Sequence, residues 1–261
     1  MSNHIHIVLC VNKSAALSWS LDTVLRQWHK IHRGTLLTQR YLKGEVLSDI
    51  EIEAVKETAD IYRKRLFDIS WFMRDLNEHI ARKANEEDEC TGRFWEGRFR
   101  SQALLTEKAL LSCMAYVDLN PIRANAAKSL NDSVYTSIYT RLFCPSKNKK
   151  TQGLIPFKGE KRPKNKKYLN LTLKQYCFLL SDSIAALTNS LPKNSTTSSE
   201  VQNVERVIID TTSPEWLQTI SSFENLFSFA VGNTASMLAF KKRTNRKRMA
   251  CIKSAAVCFD D

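Results

Sequence analysis

Residues 4–11 read HIHIVLCV, a short run rich in β-branched side chains that is typical of a strand. Side chains two positions apart on a strand point to the same face of its sheet. His4 and His6 would therefore project together, while Ile5 packs on the opposite side. Two imidazoles placed in this way can bind one metal ion. A His-x-His pair in a strand is more often incidental than functional, so this pattern alone leaves both interpretations open.

A second strand is predicted over residues 94–105, FWEGRFRSQALL, in which Gly97 indicates a bulge or a close approach of another backbone. Aromatic and cationic side chains alternate here, and stacking platforms beside phosphate-binding groups are what single-stranded DNA requires. We expect Phe94 and Phe99 to lie in the core of the sheet. The residues of this segment that we expect to contact DNA are Trp95, Arg98 and Arg100.

Most of the remaining chain is predicted to be helical, because apolar residues recur every three or four positions. The predicted helices cover residues 16–32, 49–66, 69–83, 106–119 and 171–187, and two or three more follow, one of them starting at 213–215. Thr106 and Ser213 can cap the helices that follow them. Asn120 precedes Pro121 and is expected to end or kink its helix, because a residue before proline avoids the helical region.

Tyr116 and Asn120 lie four positions apart on one predicted helix, so they share a face. Tyrosine can act as a covalent nucleophile, and the side-chain oxygen of asparagine can ligate a metal or bind a phosphate. A tyrosine at a packing interface, followed by a helix-ending Asn-Pro, would explain the same residues. From the pattern alone, that structural explanation is the simpler one.

The chain of 261 residues is strongly basic, with 39 Lys and Arg against 27 Asp and Glu and a formal net charge of +12. Residues 145–174 carry ten Lys and Arg against the single acid Glu160, although a solvated linker would explain this composition equally well. A second group, which we call the basic cluster, comprises Lys241, Lys242, Arg243, Arg246, Lys247 and Arg248. Six cations so close together favour a polyanionic partner, and nucleic acid is the first to consider.

Composition excludes several classes of protein. Seven cysteines without close pairing argue against a disulfide framework or a cysteine zinc site and indicate a reducing cytosol. The scarcity of Gly and Pro argues against a turn-rich sandwich or barrel. No apolar run approaches the length of a membrane span, and the first residues lack the features of a signal peptide.

Three blocks of sequence occur in a fixed order: MSNHIHIVL, FWEGRFRSQALL and AYVDLNPIRA. Together they resemble the REP-associated tyrosine transposases, a branch of the HUH single-tyrosine transposases. The resemblance covers most of residues 1–142, and SPEWLQTISSFENLFSFAVG is similar to the C-terminal region of longer members. It implies that Tyr116 is the nucleophile and that His4, His6 and Asn120 hold a divalent metal ion, Mg²⁺ or Mn²⁺.

The fold implied by the resemblance is α+β, with an antiparallel, ferredoxin-like sheet flanked by helices over residues 1–144. The family normally has a strand and a helix before the HUH strand. We expect this chain to be N-terminally truncated and to lack both, which would leave the HUH strand unpaired on one side. A basic linker over residues 145–170 and a helical region over residues 171–261 complete the expected organisation.

The implied activity is cleavage and rejoining of single-stranded DNA, bearing REP-like hairpins, through a 5′-phosphotyrosine. Arg123 and the basic cluster are expected to contact DNA together with Trp95, Arg98 and Arg100, because arginine can hold a phosphate in a bidentate fork. The alternative is a truncated, inactive remnant that only binds hairpin or single-stranded DNA. We expect a cytoplasmic monomer or homodimer that has no membrane partner and joins the nucleoid when bound to DNA.

Overall fold

The computed structural model describes residues 5–143, 153–160, 168–188 and 209–260. The chain divides into two compact units. We call residues 9–100 the inserted unit, and we call residues 1–8 together with 101–261 the discontinuous unit. The described residues are mainly helical, and their named strands form one two-stranded parallel ladder.

The inserted unit is built from helices that follow one another directly along the chain. They are α1 (Lys13–Ser18), α2 (Leu21–Trp28), α3 (Leu36–Leu42), α4 (Asp49–Leu66) and α5 (Ile69–Glu87). The prediction of a helix over residues 49–66 is confirmed. Ser48 starts it, because its side chain accepts from the backbone N–H of Glu51 while the Glu51 carboxylate accepts from that of Ser48. The helix predicted over residues 16–32 is instead two helices, and Ser20 caps the second.

The core of the inserted unit forms where α2 crosses α4. The rings of Trp28 and Tyr62 stack with centroids 4.3 Å apart, and Val24 and Val55 are fully buried. Stacked aromatic pairs contribute about 0.5–1.5 kcal/mol beyond the area they bury. This core therefore fixes α2 on α4 within the unit.

The discontinuous unit contains the remaining elements. They are β1 (Ala103–Leu104), α6 (Glu107–Asp118), α7 (Asn120–Arg123), a short 3-10 helix (Leu130–Asp132), α8 (Ser137–Phe143), α9 (Leu173–Leu187), α10 (Pro214–Leu226), β2 (Ala230–Val231), α11 (Thr234–Arg243) and α12 (Ile252–Phe259). Thr106 caps α6 and Ser213 caps α10, so both predicted helix starts are confirmed. α6 packs against α10, which brings the middle of the sequence against its C-terminal part.

A buried carboxylate joins three helices of this unit. Asp118, at the end of α6, is 1% exposed and accepts from the Tyr176 hydroxyl at 2.7 Å. It also accepts from the Ser137 hydroxyl at 3.1 Å and from the backbone N–H of Ile138 at 3.2 Å. These bonds place α8 and α9 on α6, next to the segment that carries Tyr116.

The prediction of an antiparallel sheet is wrong. β1 and β2 run parallel, with Ala103 opposite Ala230, and Gln102 Nε2 extends the contact by donating to the Phe227 carbonyl at 2.6 Å. The described part of the first predicted strand, residues 5–11, has no strand conformation, and Ile5 is 53% exposed. A short apolar run becomes a strand only where another strand pairs with it, and no described segment pairs with this one.

The prediction of a strand over residues 94–105 is also wrong, except for the two residues of β1, Ala103 and Leu104. The Arg93 guanidinium donates to the carbonyls of Trp95 at 2.8 Å and Glu96 at 2.6 Å, and these local bonds bend the backbone away from an extended ladder. Phe94 is 43% exposed and Phe99 is 37% exposed, so neither is the core residue that the pattern predicted.

Much of the predicted basic linker, including residues 145–152 and 161–167, lies outside the described residues. In the described stretch 153–160, Phe157 is 1% exposed, and the Arg141 guanidinium lies 4.5 Å from its ring centre. This stretch therefore contributes an aromatic side chain to the core. No helix in the described ranges is both long and apolar enough to cross a membrane.

Candidate active site

Three residues predicted to share a site lie together in the discontinuous unit. The ring centroids of His6 and Tyr116 are 5.4 Å apart at an interplanar angle of 76°, and Asn120 Nδ2 lies 3.4 Å from His6 Nε2. Tyr116 belongs to α6 and Asn120 starts α7, so the nearly continuous helical path presents both to His6. His4, the fourth predicted member, lies outside the described residues.

A fourth side chain reaches this group from α10. Glu224 Oε1 lies 3.0 Å from His6 Nδ1, on the opposite ring nitrogen from Asn120. A neutral imidazole that donates its Nδ1–H to this carboxylate keeps Nε2 as an acceptor facing Asn120. Sequence reasoning did not find Glu224, because it stands far from the other residues in the chain. The block SPEWLQTISSFENLFSFAVG contains it and was the one available signal.

Arg123 covers the ring of the predicted nucleophile. Its guanidinium lies 4.0 Å from the Tyr116 ring centre, and its Nη1 donates to the Ser221 carbonyl at 2.5 Å. Ser222 has non-helical angles, φ −134° and ψ 27°, so α10 is kinked beside this carbonyl. Among the described residues, the buried Nε of Arg123 has no hydrogen-bond partner. Arg123 thus links α7 to α10, and its expected contact with DNA stays a prediction.

The surroundings of Tyr116 disfavour its ionised form. The residue is 8% exposed and packs on Phe223, with ring centroids 5.7 Å apart. Burial raises the pKa of the phenol above its ordinary value, and Glu224 raises it further, while a hydrogen bond from Arg123 lowers it. The phenol is therefore protonated at neutral pH, and Arg123 is the neighbouring group that favours its ionised form.

Two of the described side chains carry donor atoms of the kinds that bind divalent cations. His6 Nε2 and the Asn120 side-chain amide face each other, and a half-turn of that amide brings its oxygen to the same place. A metal-binding imidazole usually donates its second N–H to a carboxylate, which is the position of Glu224. In the described part of the chain, no three His, Cys, Asp or Glu side chains form a metal-binding group. The third ligand implied by the resemblance is His4.

The DNA contacts predicted near residue 95 belong to the inserted unit. Trp95 is partly buried, and its indole N–H donates to the Asn77 carbonyl at 2.9 Å. Arg98 and Arg100 are exposed. Tyr116, the predicted nucleophile, belongs to the discontinuous unit instead.

The basic cluster lies at the end of α11 and in the turn that follows it. Its side chains are exposed except for that of Lys241, which is partly exposed. The Arg246 guanidinium lies 4.3 Å from the ring centre of Phe229, which is itself 49% exposed, and Arg243 lies 5.5 Å from the ring centre of Phe240. The cluster therefore presents aromatic faces together with its cations.

Comparison with known proteins adds no relative. The chain matches no protein-family model, no curated protein and no solved structure. The resemblance to the tyrosine transposases therefore rests on the sequence blocks quoted above. The candidate site itself is defined by the contacts among His6, Tyr116, Asn120, Arg123 and Glu224.

Proposed function

We propose that this protein cleaves and rejoins single-stranded DNA through a transient 5′-phosphotyrosine at Tyr116. The observation that carries the proposal is the convergence of His6 with Tyr116 and Asn120, which are neighbours on one helical path but lie far along the chain from His6. A phenol beside an imidazole and a carboxamide combines a nucleophile with ligands for a cation. The resemblance to the tyrosine transposases assigns these same three residues to the same roles.

In the proposed reaction, Tyr116 Oη attacks the phosphorus of a phosphodiester. An O–P bond forms and the P–O3′ bond breaks, so the downstream DNA stays attached through its 5′-phosphate. The phenol gives up its proton, and the departing 3′-oxygen leaves as a hydroxyl after taking up a proton. Because the link to tyrosine keeps a phosphodiester, a second 3′-hydroxyl can attack it and release Tyr116 without a nucleotide cofactor.

The neighbouring side chains have separate roles in this scheme. His6 and Asn120, with His4, would hold Mg²⁺ or Mn²⁺, which neutralises and orients the scissile phosphate when bound. Arg123 stabilises the phenolate as the proton leaves, because its guanidinium already lies against the Tyr116 ring. The basic cluster, with its exposed Phe229, supplies phosphate contacts and a stacking surface for unpaired bases.

A second candidate function is binding of hairpin or single-stranded DNA without cleavage. One observation favours it: Tyr116 is only 8% exposed, with Arg123 over one face of its ring. In a protein that only binds DNA, this tyrosine would be a packing residue of α6, and the basic cluster would provide the affinity.

A covalent-capture experiment separates the two functions. The protein is incubated with Mn²⁺ and hairpin-bearing single-stranded DNA labelled at its 3′ end, since the 3′-side fragment is the one that stays attached. A labelled adduct on a denaturing gel is expected for wild type and for Tyr135→Phe, whose tyrosine is fully exposed, and none for Tyr116→Phe. An adduct that survives Tyr116→Phe contradicts the nucleophile assignment. Binding without any adduct supports the second function.

A further inference from the structure

We infer that Glu224 is a positioning residue that holds the His6 ring in one orientation and one tautomer, with Nε2 directed at Asn120. The inference rests on the proposed function, because orienting His6 matters for metal binding at that site. Its structural basis is independent: the two ring nitrogens of His6 face two different side chains, Glu224 at 3.0 Å and Asn120 at 3.4 Å. An imidazole held from both sides cannot turn over without losing both contacts.

The helix that carries Glu224 is itself fixed in place. Phe223 is 1% exposed and packs between Tyr116 and Phe227, with ring centroids 5.7 Å and 5.3 Å away. Arg123 holds the Ser221 carbonyl two positions earlier. Glu224 therefore projects from an anchored turn, although 52% of its own side chain is exposed. A carboxylate on such a turn can orient a neighbouring ring at little cost in conformational entropy.

This arrangement makes α10 part of the active site. His6, Tyr116 and Asn120 all lie before residue 144, but the side chain that orients His6 comes from Pro214–Leu226. The region after residue 171 then contributes to the chemistry as well as to binding DNA. Loss of Glu224 is expected to weaken metal binding rather than to unfold the unit, since half of this side chain is in solvent.

The test uses a readout that does not depend on catalysis. In metal-free protein labelled with ¹⁵N-histidine, the ¹⁵N shifts at a fixed, mildly alkaline pH report which nitrogen of His6 carries the proton, and His6→Gln assigns the signal. We expect the Nδ1–H tautomer in wild type and its loss in Glu224→Ala. Glu224→Gln should restore most of it, because the amide oxygen can still accept the hydrogen bond.

Mn²⁺ affinity, measured by calorimetry on the same variants, provides the second readout. Glu224→Ala should weaken Mn²⁺ binding by about 10- to 100-fold, the usual effect of removing the carboxylate behind a metal-binding histidine. Glu215→Ala, an exposed acid on the same helix, should leave affinity and tautomer unchanged. An unchanged His6 tautomer in Glu224→Ala overturns the inference. A shifted tautomer in a protein that forms no DNA adduct leaves the inference standing and rejects the proposed function instead.

Discussion

The Arg123 guanidinium lies 4.0 Å from the centre of the Tyr116 ring and holds the Ser221 carbonyl at 2.5 Å. One side chain therefore connects the predicted nucleophile on α6 with the kinked helix α10. Burial raises the pKa of Tyr116, and the bond from Arg123 opposes that rise. Arg123 therefore both joins two helices and influences the pKa of the Tyr116 phenol. Its contribution to the stability of the fold can be measured without DNA.

Arg123→Ala should lower the free energy of unfolding by about 2–5 kcal/mol. Hydrogen bonds from a charged donor contribute about 1.5–3 kcal/mol, and the cation–π contact adds about 0.5–2 kcal/mol. Arg123→Lys should recover only part of the loss, because an ammonium lacks the planar fork. Urea unfolding followed by circular dichroism measures the difference. Arg248→Ala, at an exposed position, is the control, and equal stability of the two alanine variants would contradict the prediction.

Replacing all six residues of the basic cluster by glutamine should weaken binding to single-stranded DNA and flatten its dependence on salt. Each lost phosphate contact lowers the slope of log K against log salt by about 0.7, so up to about 4 is expected for the six. Fluorescence anisotropy over a range of NaCl concentrations measures the slope. The position of cleavage should not move, because phosphate contacts carry no sequence information. A changed cleavage position would mean that the cluster reads sequence.

Asp118→Ala should destabilise the protein by about 1–3 kcal/mol, because it leaves the fully buried Tyr176 hydroxyl without its acceptor. Tyr176→Phe should cost less, about 1 kcal/mol, since the carboxylate keeps its bonds from Ser137 and Ile138. The double variant should lose less than the sum, as expected for residues in one network. Denaturant unfolding of the four proteins measures the coupling. Strict additivity would show that the Tyr176 bond contributes nothing.

Acidification should destabilise the inserted unit through His29. Burial lowers the pKa of this ring below its ordinary value, and its Nε2 lies 3.0 Å from the Thr38 hydroxyl. The unfolded chain binds the proton at higher pH, so stability is lost as the pH falls below about 6.5. Thermal melts between pH 7.5 and 5 should fall less steeply for His29→Gln than for wild type. His79→Gln, at an exposed histidine, should follow wild type, and identical curves for all three would contradict the assignment.

Sequence reasoning succeeded where structure is determined locally. The starts of α6 and α10 depend on capping side chains within a few positions of the backbone they serve, so Thr106 and Ser213 mark them in the sequence. Tyr116 and Asn120 share a face for the same reason, since helical spacing alone relates them.

It failed where structure depends on distant partners. Whether residues 5–11 form a strand is decided by a neighbour that a pattern cannot show. The strand predicted over residues 94–105 fails for a local reason instead, because the Arg93 side chain bonds the carbonyls of Trp95 and Glu96. Glu224 was missed because nothing in its local sequence distinguishes it from other exposed acids on helices. Its role depends on packing that brings α10 to α6.

The contact between Gln102 and the Phe227 carbonyl spans 125 positions of the chain. During synthesis on a ribosome, α6 emerges long before the segment that it packs against exists. The inserted unit is contiguous in the chain, so we expect it to fold soon after residue 100 leaves the exit tunnel, whereas the discontinuous unit must wait for its C-terminal part. In the nascent protein, Tyr116 therefore lacks its neighbour Phe223 until α10 has been made. The group around His6 assembles only after residue 224 has been translated.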